Sequence, residues 1–114
     1  MTFDHLWTSI LDVGRDRNSG GYHRFAWTTE DFTLREWFAG EAHARGMTVE
    51  EDRNGKVWAW WQPAGATGDP RHAFVTGSHL DSVPDGGAFD GPLGIASAFA
   101  AIDILRADGV VPRV

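Results

Sequence analysis

The sequence predicts an α/β fold, because helical and β-prone segments follow one another along the chain. A short apolar run at residues 73–75 is typical of a buried strand, and it precedes a glycine-rich loop. A long apolar helix is predicted directly after the loop, at residues 95–108. Open α/β sheets place their ligand sites just beyond the carboxyl ends of strands. The stretch 76–94 is therefore expected to carry the functional site.

The length and composition of the chain limit its number of domains, its partners and its possible metal ligands. The chain of 114 residues is long enough for one domain with a hydrophobic core and too short for two. A net charge of −6 argues against nucleic acid and an anionic membrane surface as partners. Because the chain contains no cysteine, any metal must be held by His, Asp or Glu. The sequence shows no signal-peptide pattern and no long apolar run, so a cytoplasmic location is expected.

The first predicted helix spans residues 2–13. Its apolar side chains recur at helical spacing, Thr2 is placed to cap its start, and Gly14 is placed to end it. A polar, glycine-containing loop follows at residues 16–22.

A second amphipathic helix is expected to begin at Thr28 or Thr29. Thr28 followed three residues later by Asp31 resembles a capping box, with Asp in place of the usual Glu. Gly46 is expected to end this helix.

Residues 47–61 are predicted to form a β-hairpin. The pair Asn54 and Gly55 is a strong hairpin signal, because both residues can adopt a positive φ. The return strand, residues 57–61, is rich in β-prone and aromatic side chains.

The third helix, residues 95–108, is apolar on most sides, which is typical of a buried helix. Its alanines allow a close approach to a sheet, and Gly109 is expected to end it. In a parallel sheet such a helix leads into the next strand.

The central stretch combines one histidine with three carboxylates. His79 lies at the predicted strand end and is suited to bind a metal ion, while Asp90 on the loop is suited to bridge two ions about 3.5–4 Å apart. Asp81 is placed to accept a hydrogen bond from the second imidazole nitrogen and thereby to fix the tautomer. Asp85 lies in a Pro-Asp-Gly turn sequence and is interpreted as a turn residue. Taken alone, a histidine near a strand end is usually only a hydrogen-bonded residue.

The glycines of this stretch are interpreted as the means of a tight loop that brings Asp90 back over His79. No catalytic or metal role is assigned to the four other histidines, His5, His23, His43 and His72. The six tryptophans are expected to pack in the core or at its edge. Sugar stacking is the alternative for three of them, but no acid pair accompanies those residues.

The string GSHLDSVPDGGAFDGPLG at residues 77–94 resembles the metal-site signature of the M20-type metallohydrolases. Within them it is most similar to the amidase branch, which includes N-carbamoyl-L-amino-acid hydrolases, ureidoglycolate hydrolases and allantoate amidohydrolases. The strings GGYHRFAWT and WFAGEA also resemble this branch. Near the hairpin the branch often shows D-x-x-G-N; Asp52 and Gly55 match it, but Lys56 replaces the Asn.

The resemblance implies a zinc-peptidase-like (phosphorylase/hydrolase-like) catalytic domain, a mixed sheet with flanking helices. It implies that His79 and Asp90 are metal ligands, that Asp81 is the orienting acid of the catalytic site, and that two divalent ions, Mn²⁺ or Zn²⁺, bind per site. It further implies a ureido acid substrate and a homodimer. Residues 1–114 are expected to be the N-terminal part of the catalytic domain, with the general base and a lid domain beyond Val114.

The resemblance implies a metal-dependent hydrolase of linear ureido acids, and overall it favours allantoate amidohydrolase. An N-carbamoyl-L-amino-acid hydrolase and an M20-type metallopeptidase are the alternatives. A third hypothesis is that the 114-residue chain is an inactive truncated piece, because two ligands do not close a two-metal site. That hypothesis predicts weak metal binding, no turnover and an exposed apolar surface where further strands would pack.

Overall fold

The computed structural model describes residues 2–113. This part of the chain contains three α-helices, one antiparallel pair of strands and a short 3₁₀ turn. In chain order these are α1 (Thr2–Ile10), α2 (Thr29–Ala44), β1 (Thr48–Glu51), β2 (Val57–Trp60), the 3₁₀ turn (Pro70–His72) and α3 (Pro92–Ala107). The α/β class expected from the sequence is confirmed in the form of a partial α/β domain.

The main hydrophobic core lies between α1, α3 and the end of α2. Leu6 of α1 is fully buried, as are Ala42 of α2 and Ala96 of α3, and Phe99 lies beside them. The predicted apolar faces of all three helices therefore contribute to one core. Tryptophans 7, 37 and 61 pack against this core, in agreement with the packing interpretation, whereas Trp27 is exposed.

Glycine ends two of the helices, as the sequence predicts. Gly46 after α2 has φ +70°, and Gly109 after α3 has φ +78°. At α2 the N–H of Met47 donates to the carbonyl of Ala42 and the N–H of Gly46 to that of His43; α3 ends with the same pair of bonds. This is the Schellman arrangement, which satisfies otherwise unpaired carbonyls.

α2 begins at Thr29, as predicted, but its cap and two other helix boundaries differ from the predictions. The capping box at Thr28 is wrong: the Thr28 hydroxyl donates to the carbonyl of Phe25, and the Asp31 carboxylate accepts from the N–H of Trp27 at 3.0 Å. α3 begins three residues early because Pro92, with its fixed φ, suits the first helical turn. α1 ends at Ile10 and not at Val13.

The hairpin is confirmed, with Thr48 opposite Trp60 and Glu51 opposite Val57. The turn is longer than a two-residue loop, and only Gly55 has a positive φ. Its organiser is Asp52, whose carboxylate accepts from the N–H groups of Asn54 and Lys56 and from the indole of Trp58. A side-chain acceptor therefore closes this turn where a positive φ at Asn54 was expected.

The predicted buried strand at residues 73–75 is wrong. The segment has no regular secondary structure, and Phe74 and Val75 are 92% and 63% exposed. A strand needs a neighbour for its backbone hydrogen bonds, and the only sheet in the described part of the chain consists of β1 and β2. The sheet onto which α3 was expected to pack is thus not formed by these residues.

The exposed apolar side chains expected from the sequence are observed. Besides Phe74 and Val75 they include Val83, Phe89, Ile104 and Val111. Among the described residues, none of the helices combines the length and the apolar character needed to cross a membrane.

Candidate metal centre

The candidate site is the loop between the extended segment around residue 75 and the start of α3. His79, Asp81 and Asp90 all lie on this loop and are all exposed to solvent to about half of their side-chain surface. The loop ends at Gly91, which is the N-cap of α3. The first turns of α3 pack into the core, and this helix therefore fixes one end of the loop.

His79 and Asp90 converge. The imidazole Nε2 of His79 lies 3.3 Å from Oδ1 of Asp90. Two donor atoms bound to one tetrahedral ion at about 2.0–2.1 Å are separated by roughly 3.3 Å. The two side chains are thus spaced as neighbouring ligands of a single ion would be, although they are eleven residues apart in sequence.

The second nitrogen of His79 faces Asp81. Nδ1 lies 3.0 Å from the main-chain carbonyl oxygen of Asp81 and 3.4 Å from Oδ1 of its carboxylate. A proton on Nδ1 therefore points to Asp81. In that tautomer the lone pair of Nε2 is free and faces Asp90. The nearer acceptor is the carbonyl, so the backbone shares the orienting task that the sequence assigned to the carboxylate.

Two of the glycines create this geometry. Gly91 has φ +94°, and a Cβ at this position would lie 2.6 Å from the imidazole of His79. A Cβ at Gly94 would lie 2.6 Å from the Cβ of Ser78. Only glycine permits such close approach. Gly87, in contrast, has open space around it and no positive φ. The tight-loop interpretation thus applies to particular glycines and not to every glycine of the loop.

Asp85 is a turn residue, and it also has a specific partner. It adopts φ +51°, and its Oδ1 lies 3.0 Å from Nε2 of His23 and accepts from the hydroxyl of Ser19 at 2.7 Å. The hydrogen bond from His23, followed by that from Ser19, lowers the pKa of the Asp85 carboxyl. His23, which the sequence left without a role, is therefore tied to the loop. No local signal could have shown this, because the two residues are 62 positions apart.

The donor set fits a metal ion in part. One imidazole nitrogen and one carboxylate oxygen are ligands that Zn²⁺ and Mn²⁺ both accept. Among the described residues, however, no group of three or more His, Cys, Asp or Glu side chains could hold an ion. His5, His43 and His72 are exposed and lie outside the loop.

Known proteins are similar to this chain in sequence and in fold. An N-carbamoyl-L-amino acid amidohydrolase from Geobacillus stearothermophilus is 33% identical over 95% of this chain, which corresponds to 26% of that protein. A ureidoglycolate hydrolase from Arabidopsis thaliana is 31% identical over 86% of the chain and 20% of its own length. A hydantoinase/carbamoylase family amidase from Burkholderia ambifaria has a solved structure that matches with a TM-score of 0.80 at 35% identity, over 96% of this chain and 27% of that one.

The chain therefore belongs to the hydantoinase/carbamoylase amidase family. The resemblance noted for residues 77–94 is thereby confirmed at the level of the family. The chain spans about a quarter of the length of the relatives that it matches. No family model matches the chain.

Proposed function

We propose that this chain supplies part of the metal centre of a hydrolase that cleaves C–N bonds in linear ureido acids. The convergence of His79 Nε2 and Asp90 Oδ1 at 3.3 Å is the observation that carries this proposal. Membership of the amidase family supports the reaction class. His79 and Asp90 would hold divalent ions, Mn²⁺ or Zn²⁺, together with ligands from outside these residues.

Each residue of the loop has a part in this function. His79 would present Nε2 to the ion, while Asp81 accepts a hydrogen bond from Nδ1–H and so holds the tautomer that can bind a metal. Asp90 brings negative charge that offsets the charge of the cation, and Gly91 leaves room for the imidazole. When bound, the ions would supply Lewis-acid activation of water and of the substrate carbonyl.

Allantoate is the substrate that we propose, with N-carbamoyl-L-amino acids as the alternative within the same class. The sequence resemblance favours allantoate. Relatives named for N-carbamoyl amino acids and for ureidoglycolate match this chain about equally well. All of these compounds are linear ureido acids, so the substrate class is better supported than any one member.

A chimeric enzyme tests the proposal. The matching quarter of the Geobacillus amidohydrolase is replaced by this chain, and ammonia release is measured with allantoate, ureidoglycolate and N-carbamoyl amino acids in the presence of Mn²⁺ or Zn²⁺. Activity that is lost in the variants His79→Ala and Asp90→Asn supports the proposal. A chimera that keeps its activity after both substitutions would show that these residues are not ligands. Turnover of dipeptides in place of ureido acids would favour the metallopeptidase alternative.

A further inference from the structure

The glycine-rich loop is joined to the segment that follows α1. Residues 21–24 lie between residues 14–16 and residues 82–86, and backbone hydrogen bonds run to both sides. Tyr22 and Gly86 exchange two such bonds, at 2.9 and 3.0 Å. We call these three segments the inter-loop ribbon.

The ribbon is anchored in the interior through Arg24, which is buried. Its guanidinium donates to the carbonyls of Ile10 and Val13, at 2.6 and 2.8 Å, and stacks on the ring of Tyr22. Its backbone N–H donates to the hydroxyl of Ser82, and its carbonyl accepts from the N–H of Ser82. Arg24 therefore links one end of the glycine-rich loop to the carboxyl end of α1. The other end of the loop is fixed by α3.

Three side chains complete the contact on the outer side of the ribbon. Ser19 and His23 both reach Oδ1 of Asp85, and a Cβ on Gly21 would lie only 2.8 Å from the Cα of Asp85. Asp85 holds a positive φ that costs a non-glycine residue free energy. The carboxylate also has partners outside the turn, Ser19 and His23, which a glycine at this position could not bind.

We propose that His23, Ser19 and Asp85 form a positioning device that holds Asp90 against His79. Four residues separate Gly86 from Gly91, so fixing both ends of this short span fixes Asp90. His23 and Asp85 are positioning residues and do not touch the proposed ion. The inference rests on the proposed function only in naming a metal as the ligand.

Two substitutions at Asp85 distinguish the effect of its carboxylate from the effect of its backbone conformation. Asp85→Gly removes the side chain and relieves the positive φ; Asp85→Asn keeps the shape, because Asn tolerates this backbone conformation well. His23→Ala removes the partner at a position whose side chain is 41% exposed, so we expect little effect on overall stability. Gly87→Ala, in open space on the same loop, is the matched control.

Two measurements on the full chain are made with each variant. Amide hydrogen exchange at Asp90, without metal, reports on loop order, and an NMR titration of His79 with Zn²⁺ reports on binding. Asp85→Gly and His23→Ala are expected to speed exchange at Asp90. They are also expected to weaken Zn²⁺ binding by about tenfold, the lower end of the effect of losing an outer-shell partner. Asp85→Asn is expected to have a smaller effect, and Gly87→Ala none beyond about twofold.

Unchanged exchange at Asp90 in Asp85→Gly and His23→Ala would overturn the positioning device, whatever the metal result. If the unsubstituted chain fails to bind Zn²⁺ at His79, the proposed function fails instead, and the exchange rates still decide the present inference. If Asp85→Gly binds Zn²⁺ more tightly than the unsubstituted chain, the carboxylate has no positioning role.

Discussion

At the residue scale, the candidate site depends on the close approach of the His79 side chain to Gly91. The imidazole of His79 packs against the backbone of Gly91, and this contact leaves Nε2 facing Asp90. The prediction that His79, Asp81 and Asp90 act together came from their spacing among glycines combined with the resemblance of residues 77–94 to a known metal-site signature. The sequence could not predict the pairing of His23 with Asp85, since nothing local marks a contact between residues so far apart.

Gly91→Ala tests this contact. The new methyl group would lie 2.6 Å from His79 at a positive φ, so we expect the imidazole to move and the Zn²⁺ affinity to fall by at least about tenfold. Gly109→Ala is the matched control, because it has the same backbone strain but no neighbour within 4 Å. This control substitution should lower the free energy of unfolding by roughly 1–2 kcal/mol and leave the Zn²⁺ affinity intact. Equal affinities in the two variants would contradict the contact's role.

Asp81→Asn tests the contribution of the Asp81 carboxylate to orienting His79 separately from that of the main-chain carbonyl. The carbonyl of Asp81 is the nearer acceptor for Nδ1 of His79, so the substitution should preserve the Nδ1–H tautomer. Loss of the negative charge should still weaken Zn²⁺ binding by about tenfold, the lower end of the usual range. Nitrogen chemical shifts of the imidazole report the tautomer. A switch of the proton to Nε2 in this variant would show that the carboxylate alone orients the ring.

At the scale of elements, local signals were sufficient for the helices and the hairpin. The periodicity of α1, α2 and α3 and the position of Gly46 and Gly109 identified these elements to within three residues. The prediction of a strand at residues 73–75 failed, because a strand forms only where another segment accepts its backbone hydrogen bonds, and local sequence does not show whether such a segment is present. The capping box failed because Thr28 and Asp31 found other hydrogen-bond partners.

The hairpin turn should respond to pH through Asp52. The hydrogen bond from the indole of Trp58, and after it the bond from the N–H of Lys56, lower the pKa of this carboxyl. A lowered pKa in the folded chain means that the stabilisation is complete above the usual Asp value and is lost as the pH falls through the lowered one. The midpoint of the pH-dependent shift of the Trp58 indole N–H resonance should therefore lie below about pH 3.8. A midpoint above that value would contradict the hydrogen-bonded turn.

Arg45 joins α2 to α3. Its guanidinium donates to both carboxylate oxygens of Asp103 at 2.9 Å, and its side chain is only 12% exposed. We expect Arg45→Ala to lower the free energy of unfolding by about 2 kcal/mol, less than for a fully buried pair because water reaches Asp103. Arg71→Ala, at an ion pair whose arginine is 87% exposed, is the control and should cost under about 1 kcal/mol. Urea denaturation measures both; equal losses would contradict a role in joining the helices.

At the scale of the whole molecule, apolar side chains remain unburied on the segment around Phe74 and on the outer side of α3. Such surface binds hydrophobic dyes. We expect the 114-residue chain to bind anilinonaphthalene sulfonate while folded, and Phe74→Ser to reduce the fluorescence. Sedimentation that shows a monomer without dye binding would contradict this expectation.

The 114-residue chain alone is expected not to hydrolyse ureido acids. The described residues offer His79 and Asp90 as ligands, whereas even a single catalytic Zn²⁺ site has three protein ligands. Ammonia release from allantoate and N-carbamoyl amino acids, with Mn²⁺ or Zn²⁺ added, measures this directly. Metal-dependent turnover by the purified chain would contradict the expectation.

The most direct test of the account is a titration of the folded chain with Mn²⁺ while the imidazole resonances of its five histidines are followed. The paramagnetic ion broadens the signals of nearby nuclei. We expect the His79 signals to broaden first and Asp90→Asn to abolish this selectivity, while His5, His23, His43 and His72 respond only at higher concentrations. Parallel broadening of all five, or selective broadening that survives Asp90→Asn, would contradict a metal centre formed by His79 and Asp90.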